Sequence, residues 1–191
     1  SLLSYTPGDI LSAATFTRAS AASYFDINGI LQTAPSGVPR DAHYISGVRT
    51  YLTEPAATNL IFQSANLAGV NWTTANGVVN APGQGFDVVV APDGNTTGAL
   101  LAFPAVTGAN AFSTVGQTPA GQSAAPQTFS VWLRGNLGTE VVWLMSTADG
   151  VTFQRTQCAL SSAHWTRFSV TTGSASNYRV SVGVDLRDGS Q

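Results

Sequence analysis

The stretch Tyr178-Arg179-Val180-Ser181-Val182-Gly183-Val184-Asp185-Leu186-Arg187 alternates in character at every step, and this period of two constrains the fold more than any other feature. Successive side chains of an extended strand leave opposite faces. Tyr178, Val180, Val182, Val184 and Leu186 therefore share one side, and Arg179, Ser181, Gly183 and Asp185 the other. The pattern recurs: Phe129, Val131 and Leu133 oppose Ser130, Trp132 and Arg134, while Thr166, Phe168 and Val170 oppose Trp165, Arg167 and Ser169. The run EVVWLMS, from Glu140 to Ser146, is apolar on both faces and predicts a central strand covered on each side. Ala148-Asp149-Gly150 then turns the chain into VTFQRTQCAL. Five strands in close succession, in sheets polar on one side, predict an all-β chain built as a two-sheet β-sandwich of the jelly-roll kind.

The middle of the chain offers weaker strands around Val78, Asp87 to Val90 and Ala99 to Phe103, with turns at Asn76-Gly77 and Asp93-Gly94. The front differs. Ile27-Asn28-Gly29-Ile30 is a hairpin signal, and a two-residue Asn-Gly turn sets Ile27 opposite Ile30, Phe25 opposite Gln32 and Asp26 opposite Leu31. Phe25, Ile27 and Ile30 then form one apolar face. A lone hairpin is barely stable in water, so this one is expected to lie on a larger body. Beyond the hairpin, Val38-Pro39-Arg40 and Glu54-Pro55 break the chain into extended pieces. The expected organisation is a hairpin and extended arm over residues 1–65, serving as an attachment or lid segment, and a jelly roll over residues 66–191.

Composition narrows the chemistry. The eight basic residues are all arginine, which removes Schiff-base chemistry, a lysine base and a Walker-type phosphate loop. A net charge of −2 with no basic run argues against a nucleic-acid partner. The uncharged stretch from Gly94 to Leu133 is too often broken by Pro, Gly, Thr and Gln for a membrane span. One cysteine, Cys158, allows no intrachain disulfide, and within an alternating strand it reads as a small buried hydrophobe. The opening SLLSYTPGDI lacks the basic and apolar regions of a signal peptide.

A glycosidase needs two carboxyls about 5 to 10 Å apart across a cleft, in environments that split their pKa values. Asp93, Asp149 and Asp188 each precede a glycine, where backbone bonding in a turn accounts for aspartate. His43 and His164 are the only histidines, and no G-x-S-x-G stretch supplies a hydrolytic serine. No catalytic residue and no cofactor are expected. A structural calcium ion has Asp93 and Asn95 as its weak candidate ligands, and a plain turn explains them equally well. Sugar binding asks for an aromatic platform with planar polar partners on an outward face. Trp132 and Arg134 fit by pattern, and the polar faces of the last strands add Arg179 and Asp185. The alternative for Trp132 is burial beneath the N-terminal arm. Trp72, Trp143 and Trp165 read as core or half-covered residues.

Several segments together resemble a family of bacteriophage virion-surface proteins, namely tail-fibre, spike and decoration components. They are Thr15-Phe16-Thr17-Arg18-Ala19-Ser20, the hairpin Tyr24 to Ala34, Val38-Pro39-Arg40, and Leu52-Thr53-Glu54-Pro55-Ala56-Ala57-Thr58-Asn59-Leu60. Ala91-Pro92-Asp93-Gly94, Phe129-Ser130-Val131-Trp132 and Trp165-Thr166-Arg167-Phe168 look like a carbohydrate-binding-module jelly roll. The resemblance implies a non-enzymatic virion protein assembled in the host cytoplasm. Its implied partners are other virion proteins, further copies of itself in a trimer, and host surface polysaccharide. Arg18, Asp26, Arg40, Glu54 and Asn59 would be structural fasteners, the arginines through charge-assisted hydrogen bonds. The alternatives are a polysaccharide depolymerase, tested at Glu54 and Glu140, and an architectural virion protein without a ligand. The chain stops at LRDGSQ without the closing aromatic segment the resemblance leads one to expect, as though it were the front end of a longer design.

Overall fold

The computed structural model describes residues 17–40, 42–45, 47–50, 52, 60, 61, 67, 71–75, 79, 80, 89–107, 111–173 and 177–187. Among them every regular element is a β-strand, and no sheet closes into a barrel. The chain divides into two compact units, Ser1–Ala57 with Pro92–Gly94, and Thr58–Ala91 with Asn95–Gln191.

The first unit carries two hairpins. β1 (Ala22–Phe25) pairs with β2 (Leu31–Ala34), and β3 (His43–Ile45) pairs with β4 (Val48–Thr50). The first hairpin departs from the expected register by one residue: Phe25 faces Leu31 and Tyr24 faces Gln32. Asp26 is the physical reason. Its Oδ1 accepts the amides of Asn28 (2.9 Å) and Ile30 (3.0 Å), and its Oδ2 accepts the Gln32 side-chain amide (2.8 Å). The Gly29 amide closes the turn onto the Asp26 carbonyl (3.0 Å) with Gly29 at φ 73. That is a three-residue loop with glycine in the left-handed position, in place of a two-residue turn. Ile27 consequently sits on the loop and is 67% exposed, not packed against Ile30.

The second unit contains β5 (Thr73–Ala75), β6 (Val79–Asn80), β7 (Leu101–Ala102), β8 (Phe112–Gln117), β9 (Thr128–Leu133), β10 (Val141–Thr147), β11 (Gln154–Ala159), β12 (Thr166–Thr171) and β13 (Arg179–Asp185). The five late stretches thus all form strands. They do not form one sheet. A five-stranded antiparallel sheet runs β11-β10-β13-β8-β5, while β9 and β12 pair as a separate two-stranded ribbon, as do β6 and β7.

One apolar cluster joins the five-stranded sheet to the β9–β12 ribbon. Val115, Val142, Leu144, Cys158, Val180 and Val182 come from the sheet and Phe129 and Val170 from the ribbon, with Val131, Leu133 and Phe168 packed around them. Those from β9, β12 and β13 lie on the faces that alternation marks as inward. Burying each large aliphatic or aromatic group contributes about 1.5–3 kcal/mol. β10 is central, between β11 and β13, and both Leu144 and its neighbour Met145 are fully buried. Burial pushes the Cys158 thiol up to about 11, which leaves it inert as a nucleophile.

The other face of the sheet overturns an expectation. The polar side of β13 is not solvated: Ser181 and Asp185 are buried, as are Thr114 and Thr147 on the flanking strands. At Gly183 an added Cβ would strike the Ser113 carbonyl, so β8 and β13 approach closely only because no side chain is there.

Candidate functional site

Trp132 and Arg134 lie on the ribbon, on the side away from the core cluster. The β9–β12 register makes Trp132 the cross-strand neighbour of Arg167, and Ser130 that of Ser169. One step beyond the strand ends, the Arg134 guanidinium lies over the Trp165 ring, 5.1 Å from its centroid. The result is a checkerboard of two tryptophans and two arginines. Both indoles are half-buried, whereas Arg134 and Arg167 are exposed.

Trp165 and Arg167 are held by hydrogen bonds. The Trp165 Nε1–H donates to the Val90 carbonyl (2.9 Å), which fixes the ring plane. Arg167 donates from Nε (3.2 Å) and Nη2 (2.8 Å) to Ser130 Oγ. Further along, the hydroxyls of Thr128 and Thr171 meet across the strands at 3.2 Å. Ring planes, guanidinium forks and hydroxyls on one weakly charged face are the groups that stack on a sugar's C–H face and bond its hydroxyls.

Arg179 and Asp185 do not join this face. Alternation along β13 sends both to the side of the five-stranded sheet opposite the core cluster. Asp185 is fully buried and is bound by two partly exposed arginines. Arg187 grips it with Nε on Oδ1 (2.8 Å) and Nη2 on Oδ2 (2.7 Å), and Arg155 Nη2 lies 3.2 Å from Oδ2. The Arg187 guanidinium also sits 4.1 Å from the Phe112 ring centroid and 4.9 Å from that of Phe153. Burial works to raise the Asp185 pKa, but the Arg187 hydrogen bonds and the two positive charges outweigh it and hold the carboxyl below its ordinary range. This aspartate is a structural counter-ion.

The described fasteners bind backbone. Arg18 donates from Nη2 to the carbonyls of Ala34 (2.9 Å) and Pro35 (2.6 Å) and from Nε to that of Ser20 (2.6 Å). Arg40 donates from Nη1 to the Ser23 carbonyl (3.1 Å). Asp26 works inside its own hairpin loop. Glu54 and Asn59 lie outside the described residues. His43 adds a fastener that the sequence did not signal, its Nδ1 accepting the Phe25 amide at 3.0 Å.

Two further described carboxylates, Glu140 and Asp149, are similarly occupied. Glu140 Oε1 accepts the amides of Asn136 (2.8 Å) and Leu137 (2.7 Å), and Oε2 those of Gly138 (2.7 Å) and Thr139 (3.1 Å). The Leu137 amide, aided by Asn136 and Gly138, outweighs desolvation and brings its pKa down to about 2. Asp149 accepts the amides of Thr152 (2.7 Å) and Val151 (2.8 Å), and these hold its carboxyl far below the usual range. A general acid at neutral pH needs the opposite shift. His164 Nδ1 meets Ser161 Oγ at 3.2 Å, three residues away in a loop, an arrangement local turn geometry explains.

Around Asp93 and Asn95 the backbone forms a turn: Gly94 has φ 80, and the Asn95 carbonyl accepts the amides of Ala91 (2.7 Å) and Thr97 (3.0 Å). Among the described residues no three His, Cys, Asp or Glu side chains converge.

The fold and face together define an all-β protein with an outward tryptophan–arginine surface on a two-stranded ribbon. No family model, curated protein or solved structure matches the chain.

Proposed function

We propose that the chain is a non-enzymatic structural protein of a bacteriophage virion surface, a fibre or spike component or a capsid decoration, whose β9–β12 face contacts host cell-surface glycan. The sequence resemblance supports the virion assignment, and with it assembly as a trimer beside other virion proteins. One observation carries the glycan contact: Trp132, Arg134, Trp165 and Arg167 share one outward face. The core cluster shared by the five-stranded sheet and the ribbon supports reading the second unit as a sandwich of the jelly-roll type. The depressed carboxyls of Asp26, Glu140, Asp149 and Asp185 favour the binding reading over a glycan-cleaving one.

The test is a panel of bacterial surface polysaccharides probed with the wild-type chain and Trp132→Ala. The expected outcome is binding that Trp132→Ala loses while its thermal midpoint stays close to wild type. Binding that survives the substitution contradicts the role of this face. Imaging phage particles with the protein labelled tests the virion assignment separately, and particles that carry no label would overturn it.

A further inference from the structure

We infer that the β9–β12 face selects glycans that carry carboxylates, such as uronic acids; this rests on the glycan-contact reading above and goes further by naming the ligand class. Arg155 and Arg187 share the Asp185 carboxylate. Arg18 and Arg40 donate to backbone carbonyls. Arg179 also meets no acid among the described residues, but it is half-buried on the five-stranded sheet; Arg134 and Arg167 are exposed on the ribbon, and among the described residues neither meets an acid. The partner of Arg134 is the Trp165 ring, and that of Arg167 is the Ser130 hydroxyl. A guanidinium offers five donors in a planar fork that matches the two oxygens of a carboxylate.

Among the described residues the outward side of the ribbon itself carries no acid. Ser130, Ser169, Thr128 and Thr171, which share the ribbon's outward side, are neutral hydroxyls. Glu140, beside Gly135 at the end of the strand, keeps its negative charge but has both oxygens turned to backbone amides, not to Arg134 or Arg167. A uronic acid presents an apolar C–H face and a carboxylate fixed to the ring. With the face on Trp132, the carboxylate lies within reach of Arg167, the cross-strand neighbour, since directly opposed residues have Cβ atoms about 5 Å apart. A neutral sugar uses the ring and leaves the two guanidiniums without an anionic partner. Nucleic acid also stacks and carries charge, but two arginines on a chain of net charge −2 fall short of the run of phosphate contacts it needs.

The experiment prints each polysaccharide of the panel in native and carboxyl-reduced form, beside single-stranded DNA, and applies the full chain. The expected result is binding strongest on carboxylated forms and weakened about tenfold by carboxyl reduction. Binding should also weaken as salt rises. Arg167→Gln should lose about tenfold in affinity, with Arg167→Lys between it and wild type. Should Arg167→Gln fail to fold, carboxyl reduction still decides the matter on the unaltered protein. Equal binding to native and reduced forms overturns the acidic class while glycan contact stands. Binding to no polysaccharide in either form overturns both. DNA bound as tightly as the best polysaccharide overturns the assignment in favour of a nucleic-acid ligand.

Discussion

The guanidinium of Arg134, on one strand's exit, lies over the indole of Trp165, on the other strand's entry, at 5.1 Å. This stack extends the ribbon's pairing beyond its last hydrogen bond and orders both residues on the outward face. It predicts an energetic coupling. In a double-mutant cycle of Arg134→Ala and Trp165→Ala, urea denaturation should return about 0.5–1 kcal/mol of interaction. Strict additivity would show that the stack contributes nothing to holding the face.

The shared core predicts a different magnitude. Leu144 is fully buried in the cluster that joins sheet and ribbon. Leu144→Ala should cost about 2–5 kcal/mol in denaturant unfolding. A loss comparable to that of an exposed-site change would mean the cluster is not the core.

Asp185→Asn tests the ionic cluster. Removing the charge between Arg155 and Arg187 should destabilise by about 1–3 kcal/mol, the loss of charge-assisted hydrogen bonds to a buried acceptor, since both arginines are partly exposed and can be solvated. Glycan binding by the folded fraction should remain at the wild-type level, since Asp185 lies on the other sheet. Loss of binding without loss of stability would return Asp185 to the ligand site.

Glu140→Gln predicts a pH dependence. The folded-state pKa is depressed from 4.5 to about 2, so the carboxylate's contribution is fully present above the unfolded value and is lost as pH falls toward 2. Thermal midpoints of wild type and Glu140→Gln should therefore differ at pH 7 and converge between pH 4.5 and 2. A gap that is constant or widens in acid contradicts the amide cradle.

How much of the fold and the face is legible in the sequence depends on where each residue's partner lies. Alternation in β9, β12 and β13 names the inward side chains, because burial of a single face writes itself into every second position. β8 leaves no such trace: Ser113 and Gln117 flank Val115 on its inward side, and only pairing with Val184 and Val180 buries them. The Asp185 face reads as solvated because its neutralising partners arrive from Arg155 on another strand and from Arg187 past the strand's end. The hairpin slips one residue because Asp26 captures two amides of its own loop, a preference that Asn-Gly alone does not reveal. Alternation places Trp165 on the correct side, with Arg167 and Ser169. Its role in the face stays hidden, because the Arg134 stack joins two strands paired only in space.

The most direct test of the central claim uses the four tryptophans as reporters. Indole N–H resonances, assigned by substitution, are followed while oligosaccharides cut from the best-bound polysaccharide of the panel are added. The account predicts that Trp132 and Trp165 shift and saturate together while Trp72 and Trp143 stay in place. Shifts at Trp72 or Trp143 with Trp132 unmoved would contradict it.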